Sequence, residues 1–264
     1  MQSSIPTAIH DRWRKARAMR QLTPLWPTLL VHRSKLVTMI LHSRGESVRM
    51  TFRRSSSDPA ILDEVLANDI YACPQFRTGR CIVMDFGAHI GSFTTGFLVG
   101  RPDARAFCIE PNPFSYSLLV QNLQANRVLA RSVCLGAALV SRETLAADRF
   151  VRLDFPDGQQ DVFEQFQVSP QGRWITLGVS LDALSTLLEP GVPIVLKMDI
   201  EGGELPLLNE FHVFLKNHPV SMLFMEFHGT PTQQEEWVRQ LGAIGFRCEV
   251  NGIILRAERA TAAA

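Results

Sequence analysis

From Cys81 onwards, short apolar runs alternate along the chain with segments of helical periodicity. Strands separated by helices in this way predict a mostly parallel, doubly wound α/β sheet. The predicted strands are Cys81–Phe86, Ala104–Ile109, Ala130–Leu135, Ile194–Met198, Ser221–Phe227 and a closing pair over Phe246–Leu255. The predicted helices are Ile90–Val99, Phe114–Asn126, Leu181–Leu188, Leu205–Lys216 and Thr232–Ile244. Because such sheets bind ligands at the carboxyl ends of their strands, functional residues are expected directly after each strand.

The chain before this sheet differs from it in charge. The 264 residues have a formal net charge of +1, but residues 1–54 contain 11 Lys or Arg residues and two acids. Here we predict a short helix over Asp11–Arg20 and an apolar hairpin in "LVTMILHSRGESVRMTFRR". A helix follows in "SSSDPAILDEVLANDIY", capped by Ser57 or Asp58. The predicted domains are therefore a basic extension with a hairpin (1–56), the main domain (57–258) and a disordered tail (259–264), and the hairpin offers a surface for a homodimer.

Composition argues against several classes of protein. With 46% hydrophobic residues the chain can form a substantial core. The cysteines show no CxxC spacing, and no apolar run approaches the roughly 18 residues of a membrane-spanning helix. We therefore expect a cytoplasmic protein without a transmembrane segment. Nucleic acid is not an expected partner, because no basic stripe interleaved with aromatic residues is present. Residues 139–178 are irregular and predict short antiparallel strands or a loop.

The tips of the first two strands carry acids and glycines. "DFGAHIG" places Asp85, Gly87 and Gly91 at a tight turn into a helix, where glycine allows close approach of a ligand. The spacing is not the GxGxxG of a pyrophosphate cradle, which argues against a nicotinamide-dependent oxidoreductase. An acid at this turn suits a cationic ligand better than a phosphate. Glu110 follows the second strand, where an acid accepts hydrogen bonds from ribose hydroxyls.

Two further strand tips carry the remaining candidates. "KMDIEGGE" places Asp199 and Glu201 after one strand, and "MEFHG" places Glu226 and His228 on one side of the end of the next. Their oxygen-rich set could hold Mg, Ca or Mn, or it could accept a proton from a substrate hydroxyl. A divalent metal is possible on this pattern but is not expected.

Five blocks in order resemble the FkbM family of S-adenosylmethionine-dependent methyltransferases. They are "VMDFGAHIGSFT", "AFCIEPNPFSYSLLVQNLQAN", "VSLDAL", "LKMDIEGGELPLL" and "FMEFH". The resemblance implies a class I methyltransferase (Rossmann-like) fold, with a seven-stranded sheet whose last strand is antiparallel. It also implies S-adenosylmethionine as cofactor and methylation of a hydroxyl on a sugar or natural product. The alternative is a methyltransferase-like protein that has lost catalysis and serves as a scaffold.

The resemblance also assigns roles to residues. It places the cofactor against Asp85, Gly87, His89, Gly91, Glu110, Asp199 and Glu201. His89 departs from the family, which usually has Asn there. S-adenosylmethionine carries an ammonium and a sulfonium but no phosphate, which agrees with acids at the strand tips. Because a protonated hydroxyl is a poor nucleophile, a base is expected near the methyl group. Our hypothesis is that Asp199 or His228 accepts the proton, with Glu226 orienting His228.

Overall fold

A computed structural model describes residues 35–71, 79–154, 167–169 and 171–260. The predicted helix over Asp11–Arg20 lies outside these residues, as does Cys73. The strands are β1 (Leu36–Ser43), β2 (Glu46–Arg53), β3 (Ile82–Phe86), β4 (Arg105–Ile109), β5 (Ser132–Leu135), β6 (Ala137–Leu139), β7 (Phe150–Asp154), β8 (Gln167–Val168), β9 (Trp174–Val179), β10 (Ile194–Met198), β11 (Val220–Glu226), β12 (Phe246–Asn251) and β13 (Ile254–Arg259).

The α-helices are α1 (Asp58–Leu62), α2 (Ser92–Val99), α3 (Pro113–Ala125), α4 (Arg142–Ala147), α5 (Leu181–Ser185), α6 (Leu208–Asn217) and α7 (Pro231–Ala243). A π-helical turn, Asp63–Ala67, continues α1, and 3-10 turns precede β5 (Leu129–Arg131) and α6 (Leu205–Leu207). Among the described residues, none forms a helix with the length and apolarity needed to cross a membrane.

The main sheet confirms the predicted fold class. Its seven strands lie in the order β12-β13-β11-β10-β3-β4-β5. Neighbouring strands from β11 to β5 are parallel, whereas β13 runs antiparallel to both β11 and β12. This is the class I methyltransferase arrangement with an antiparallel last strand. The strand order reverses between β3 and β10, so a ligand crevice is expected at their carboxyl ends.

Residues 139–178 form more structure than the sequence indicated. Strands β6, β9, β7 and β8 make a separate four-stranded sheet. The expectation of antiparallel strands holds for β7 with β8 and β9, but β6 pairs with β9 in parallel. Arg259, assigned to the disordered tail, instead belongs to β13 and donates a hydrogen bond to the carbonyl of Val220 at 2.9 Å.

The predicted hairpin is present and packs against the main domain. Its turn residues Arg44 and Gly45 both have positive φ, which suits a two-residue hairpin turn. The apolar residues of one hairpin face are buried in the core that also contains α2 and α3; they are Val37, Met39, Val48, Met50 and Phe52. Leu36 and Ile40 on the opposite face are about half exposed. Homodimerisation through the hairpin therefore stays a prediction that concerns this outer face.

The helix after the hairpin begins differently from the prediction. Ser57 occupies the N-cap position but makes no side-chain capping hydrogen bond. The carboxylate of Asp58 instead accepts hydrogen bonds from Arg53, through the backbone N–H at 2.7 Å and the guanidinium at 2.8 and 2.9 Å. The start of α1 is thus tied to the end of β2, next to the β3–α2 turn.

Asn122 joins the hairpin to that turn. Its side-chain oxygen accepts from the N–H of Thr51 at 2.7 Å, and its amide donates to the carbonyls of Thr51 and Ile90 at 3.0 and 2.8 Å. Asn126, one helical turn later, makes a similar pair of bonds with the N–H and carbonyl of Arg49. The Asn122 bonds are buried, whereas those of Asn126 to Arg49 are exposed.

We expect Asn122→Ala to lower the free energy of unfolding by about 2 kcal/mol, because it leaves three buried backbone groups without a partner. Asn126→Ala is the matched control, and its loss is expected to stay below about 1 kcal/mol since water can replace its bonds with Arg49. Urea unfolding of both variants measures the difference. Equal losses of unfolding free energy in the two variants would contradict the claim that burial makes the Asn122 bonds more important.

Candidate active site

A cavity of about 580 Å³ opens at the carboxyl ends of the central strands. Apolar side chains from α1, the π-helical turn, α2 and the small sheet form much of its wall, including Ile61, Val65, Phe93, Leu139, Val140 and Leu153. Its acidic and basic lining residues are Glu64, Glu110, Asp199, Glu201, Glu226 and Lys197. The cavity thus has five carboxylates and one ammonium, a lining that favours a ligand with positive charge.

Glu110 lies where the sequence predicted a ribose-binding acid. It follows β4, lines the cavity and is only 6% exposed. Its two oxygens accept hydrogen bonds from the backbone N–H groups of Asn112 and His89, at 2.8 and 2.7 Å. Burial raises the pKa of Glu110 to about 7, against the opposing effect of these bonds. Each oxygen retains a second lone pair that can accept from a ligand hydroxyl.

The two predicted glycines have different surroundings. Gly87 lines the cavity with φ +74°, and a Cβ there would lie 1.8 Å from the carbonyl oxygen of Asp199. Gly91 has φ +82° at the start of α2, and its missing Cβ would meet the side chain of Leu119 at 2.6 Å. Gly87 therefore lets the tips of β3 and β10 approach each other, while Gly91 serves the packing of α2 against α3.

Asp85 is fully buried and contacts other protein groups rather than the cavity. The hydroxyl of Thr94 donates to its Oδ2 at 2.6 Å, and the ammonium of Lys197 lies 3.5 Å from its Oδ1. Lys197 also donates to the carbonyl of Gly87 at 2.7 Å and lies 3.6 Å from Oδ2 of Asp199. Asp85, predicted to contact the cofactor, is thus connected to the cavity through Lys197, which lines it.

Lys197 is a site residue that the sequence reasoning missed. Burial lowers its pKa, but the nearby carboxylates, with Asp85 and Asp199 the largest contributors, more than offset this, so its pKa is raised and it stays charged. The available signal was a lysine inside the apolar run of β10, two residues before Asp199. Its position directly opposite Asp85 in the parallel ladder appears only once the strand register is known.

His89 lines the cavity, and its side chain contacts residues at the end of the hairpin and the start of α1. Its backbone is left-handed at φ +52°, a conformation that His and Asn adopt more readily than most residues. Its Nε2 lies 3.0 Å from the Arg53 guanidinium and 3.3 Å from the Asp58 carboxylate. Burial lowers the pKa of His89 to about 4, so the imidazole is neutral at pH 7. Its backbone N–H supports Glu110, as described above.

Asp199 and Glu226 face each other across the ends of β10 and β11, and both line the cavity. Burial and the charge of Asp199 raise the pKa of Glu226 to about 7. The hydroxyl of Tyr71 donates to Oε1 of Glu226 at 3.3 Å, and Tyr71 is held by ring contacts with Phe93 and Phe224. Tyr71, which precedes the main sheet in the chain, was also missed.

His228 is oriented by Glu204 and not, as expected, by Glu226. Oε1 of Glu204 lies 2.7 Å from both the backbone nitrogen and the ring Nδ1 of His228. Its other oxygen accepts from the N–H of Gly202, and Nε2 of His228 lies 3.7 Å from Glu201. The bond with the fully buried Glu204 raises the pKa of His228 to about 9, so the ring carries a proton at neutral pH. The structure therefore disfavours His228 as an unaided base.

Of the predicted site residues, six line the cavity: Gly87, His89, Glu110, Asp199, Glu201 and Glu226. His228 lies beside it, with one potential ligand atom within 4.8 Å of those of Asp199 and Glu226. Asp85 and Gly91 do not line the cavity: Asp85 lies beside Lys197, and Gly91 packs against Leu119. The residues thus fall into a group around Glu110 at the tip of β4 and a group around Asp199 and Glu226 at the tips of β10 and β11.

Part of the chain matches the model of a known protein family. The model of the methyltransferase FkbM domain matches residues 85–248, which include both groups. No curated protein matches the chain. Among solved structures, precorrin-6y C5,15-methyltransferase from Geobacter metallireducens GS-15 is 14% identical, with 74% of this chain and 96% of that chain covered and a TM-score of 0.39. The mitomycin 7-O-methyltransferase MmcR is 12% identical, with 76% and 56% covered and a TM-score of 0.38.

Proposed function

The chain belongs to the FkbM methyltransferase family, and we propose that it transfers the methyl group of S-adenosylmethionine to a hydroxyl of a small-molecule acceptor. The observation that carries this proposal is the acidic cavity at the strand tips, where five carboxylates surround one ammonium. S-adenosylmethionine carries an ammonium, a sulfonium and a carboxylate, so its net positive charge is complementary to this lining. When bound, it supplies the activated methyl group.

The group around Glu110 suits the nucleoside end of this cofactor. Glu110 is fixed by two backbone N–H groups and still has lone pairs for the ribose hydroxyls. Gly87 keeps the tips of β3 and β10 together without a side chain in the way. Lys197, anchored by Asp85 and Gly87, offers a positive charge for the carboxylate of the methionine part. In this arrangement Glu110 would accept from the ribose hydroxyls and Lys197 would pair with the carboxylate of the methionine part.

The group of Asp199, Glu226 and His228 then lies at the acceptor end. We assign to these three side chains the activation of the acceptor hydroxyl, with Glu201 beside them. Apolar wall residues such as Ile61, Leu139 and Leu153 suit an acceptor with an apolar surface. A hydroxyl on a sugar or glycosylated natural product meets these requirements, and the family resemblance favours that class.

Glu226→Gln is expected to reduce methyl transfer at least tenfold, because general acid–base groups contribute roughly 10²–10⁴-fold and this variant removes one charge from the activating set. S-adenosylhomocysteine affinity is expected to stay within about threefold. Transfer of radiolabelled methyl groups to a panel of sugars and glycosides measures the first quantity, and calorimetry measures the second. Glu235→Gln, at an exposed position of α7, is the matched control. Unchanged transfer in both Glu226→Gln and Asp199→Asn would remove these residues from the mechanism.

A further inference from the structure

Three side chains with metal-binding atoms converge at the acceptor end of the cavity. Asp199 follows β10, Glu226 ends β11 and His228 follows two residues later. One potential ligand atom from each lies within 4.8 Å of the other two, and all three side chains are half-buried. Asp199 and Glu226 line the cavity, and His228 lies beside it. Two carboxylates and one imidazole form a ligand set suited to Mn²⁺ and similar divalent cations.

Each of these side chains is held at one atom and leaves another available. Glu204 holds Nδ1 of His228 at 2.7 Å, which fixes the ring as the partner of a metal-binding histidine does, and a cation would displace the proton from Nε2 and bind there. Lys197 lies near Oδ2 of Asp199, whereas Oδ1 is buried and has no hydrogen-bond partner among the described residues. A buried acceptor without a partner is destabilising, and a bound cation would offset that cost.

Charges around this cluster do not balance. Its cationic groups are Lys197, which lies beside Asp85 and Asp199, and His228, which lies beside Glu201 and Glu204. The carboxylates around it include Asp85, Asp199, Glu201, Glu204 and Glu226. The single net positive charge of S-adenosylmethionine neutralises only part of this excess. A divalent cation would neutralise much of the remainder where the carboxylates lie closest together.

We propose that Asp199, Glu226 and His228 bind a divalent cation of the Mn²⁺ type that contacts the acceptor oxygen. Cation binding stands on the geometry alone, while the contact with an acceptor oxygen rests on the proposed function. A cation here orients the hydroxyl and makes its proton easier to lose to water. The sequence does not indicate this site, because the contacts of Glu204 and Lys197 depend on the fold.

The test is a Mn²⁺ titration of the full chain, stripped of metal with a chelator and followed by electron paramagnetic resonance. The expected result is one bound Mn²⁺ per chain, displaced by Mg²⁺, with a nitrogen hyperfine coupling that His228→Gln abolishes. Glu226→Gln and Asp199→Asn should each weaken binding at least tenfold. Glu204→Gln should weaken it about 10–100-fold by releasing the ring of His228. Glu235→Gln, the matched control, should change the affinity by less than twofold.

Absence of Mn²⁺ binding to the wild-type chain at millimolar concentration would overturn the proposal, whether or not the variants fold. Equal affinity in wild type and in folded Glu226→Gln and His228→Gln would also overturn it, since the ion would then be bound elsewhere. The two proposals fail separately. Binding of S-adenosylhomocysteine without Mn²⁺ binding would leave methyl transfer in place and remove the cation. Binding of Mn²⁺ without S-adenosylhomocysteine would do the reverse.

Discussion

Gly87→Ala should destabilise the protein by roughly 4 kcal/mol, from left-handed backbone strain of about 1–2 kcal/mol and overpacking of about 1–3 kcal/mol. The added Cβ would lie 1.8 Å from the Asp199 carbonyl oxygen, and a backbone atom in a central strand tip cannot move away cheaply. The carbonyl of Gly87 also accepts a hydrogen bond from the ammonium of Lys197. A shift of the Gly87 backbone would therefore also move Lys197, which lines the cavity.

Gly191 provides the matched control for this variant. It has nearly the same backbone angle, φ +75°, but a Cβ there meets no atom within 4 Å. Gly191→Ala therefore isolates the backbone strain and should cost only about 1–2 kcal/mol. Urea unfolding of both variants, compared at equal m-values, gives the difference. If the two losses were equal, the close approach of β3 and β10 would not be what requires glycine at position 87.

Glu110→Gln should weaken S-adenosylhomocysteine binding at least 100-fold, which is about 2.7 kcal/mol. Glutamine must turn an NH₂ group towards one of the two backbone N–H groups that the carboxylate now accepts from. Hydrogen bonds to a charged group contribute roughly 1.5–3 kcal/mol each, and the loss also disturbs the β3–α2 turn through His89. In Glu110→Gln the acceptor for the ribose hydroxyls is therefore uncharged and no longer held in the same position.

Calorimetric titration with S-adenosylhomocysteine measures this loss. Glu226→Gln is the control for removing a carboxylate from the same cavity, because it alters the acceptor end and should leave cofactor affinity within about threefold. A similar loss in both variants would indicate that the net charge of the cavity binds the cofactor, and that Glu110 has no specific contact with it. If Glu110→Gln retained its affinity for S-adenosylhomocysteine, the nucleoside could not be bound through Glu110 at the tip of β4.

Residues at strand tips could be predicted because their position follows from local pattern alone. Gly87, Glu110, Asp199 and Glu226 each come directly at the end of an apolar run, and parallel strands bring such ends to one edge. The parallel sheet was predictable for the same reason. The acidic run after β10 likewise marked the position of Glu201.

Residues that act through long-range packing could not be predicted in this way. Lys197 faces Asp85 only because β10 pairs with β3 in that register. Tyr71 reaches Glu226 across 155 positions of sequence, and Glu204 reaches His228 across 24. The small sheet was missed in part because the parallel pairing of β6 with β9 joins distant short strands that carry little alternation of their own.

A crystal structure of the chain with S-adenosylhomocysteine tests the central claim most directly. The account predicts that the ribose hydroxyls contact Glu110, and that the sulfur points towards the space between Asp199 and Glu226. A complex in which the ligand lies outside this cavity, or fills it without touching Glu110, would contradict the account.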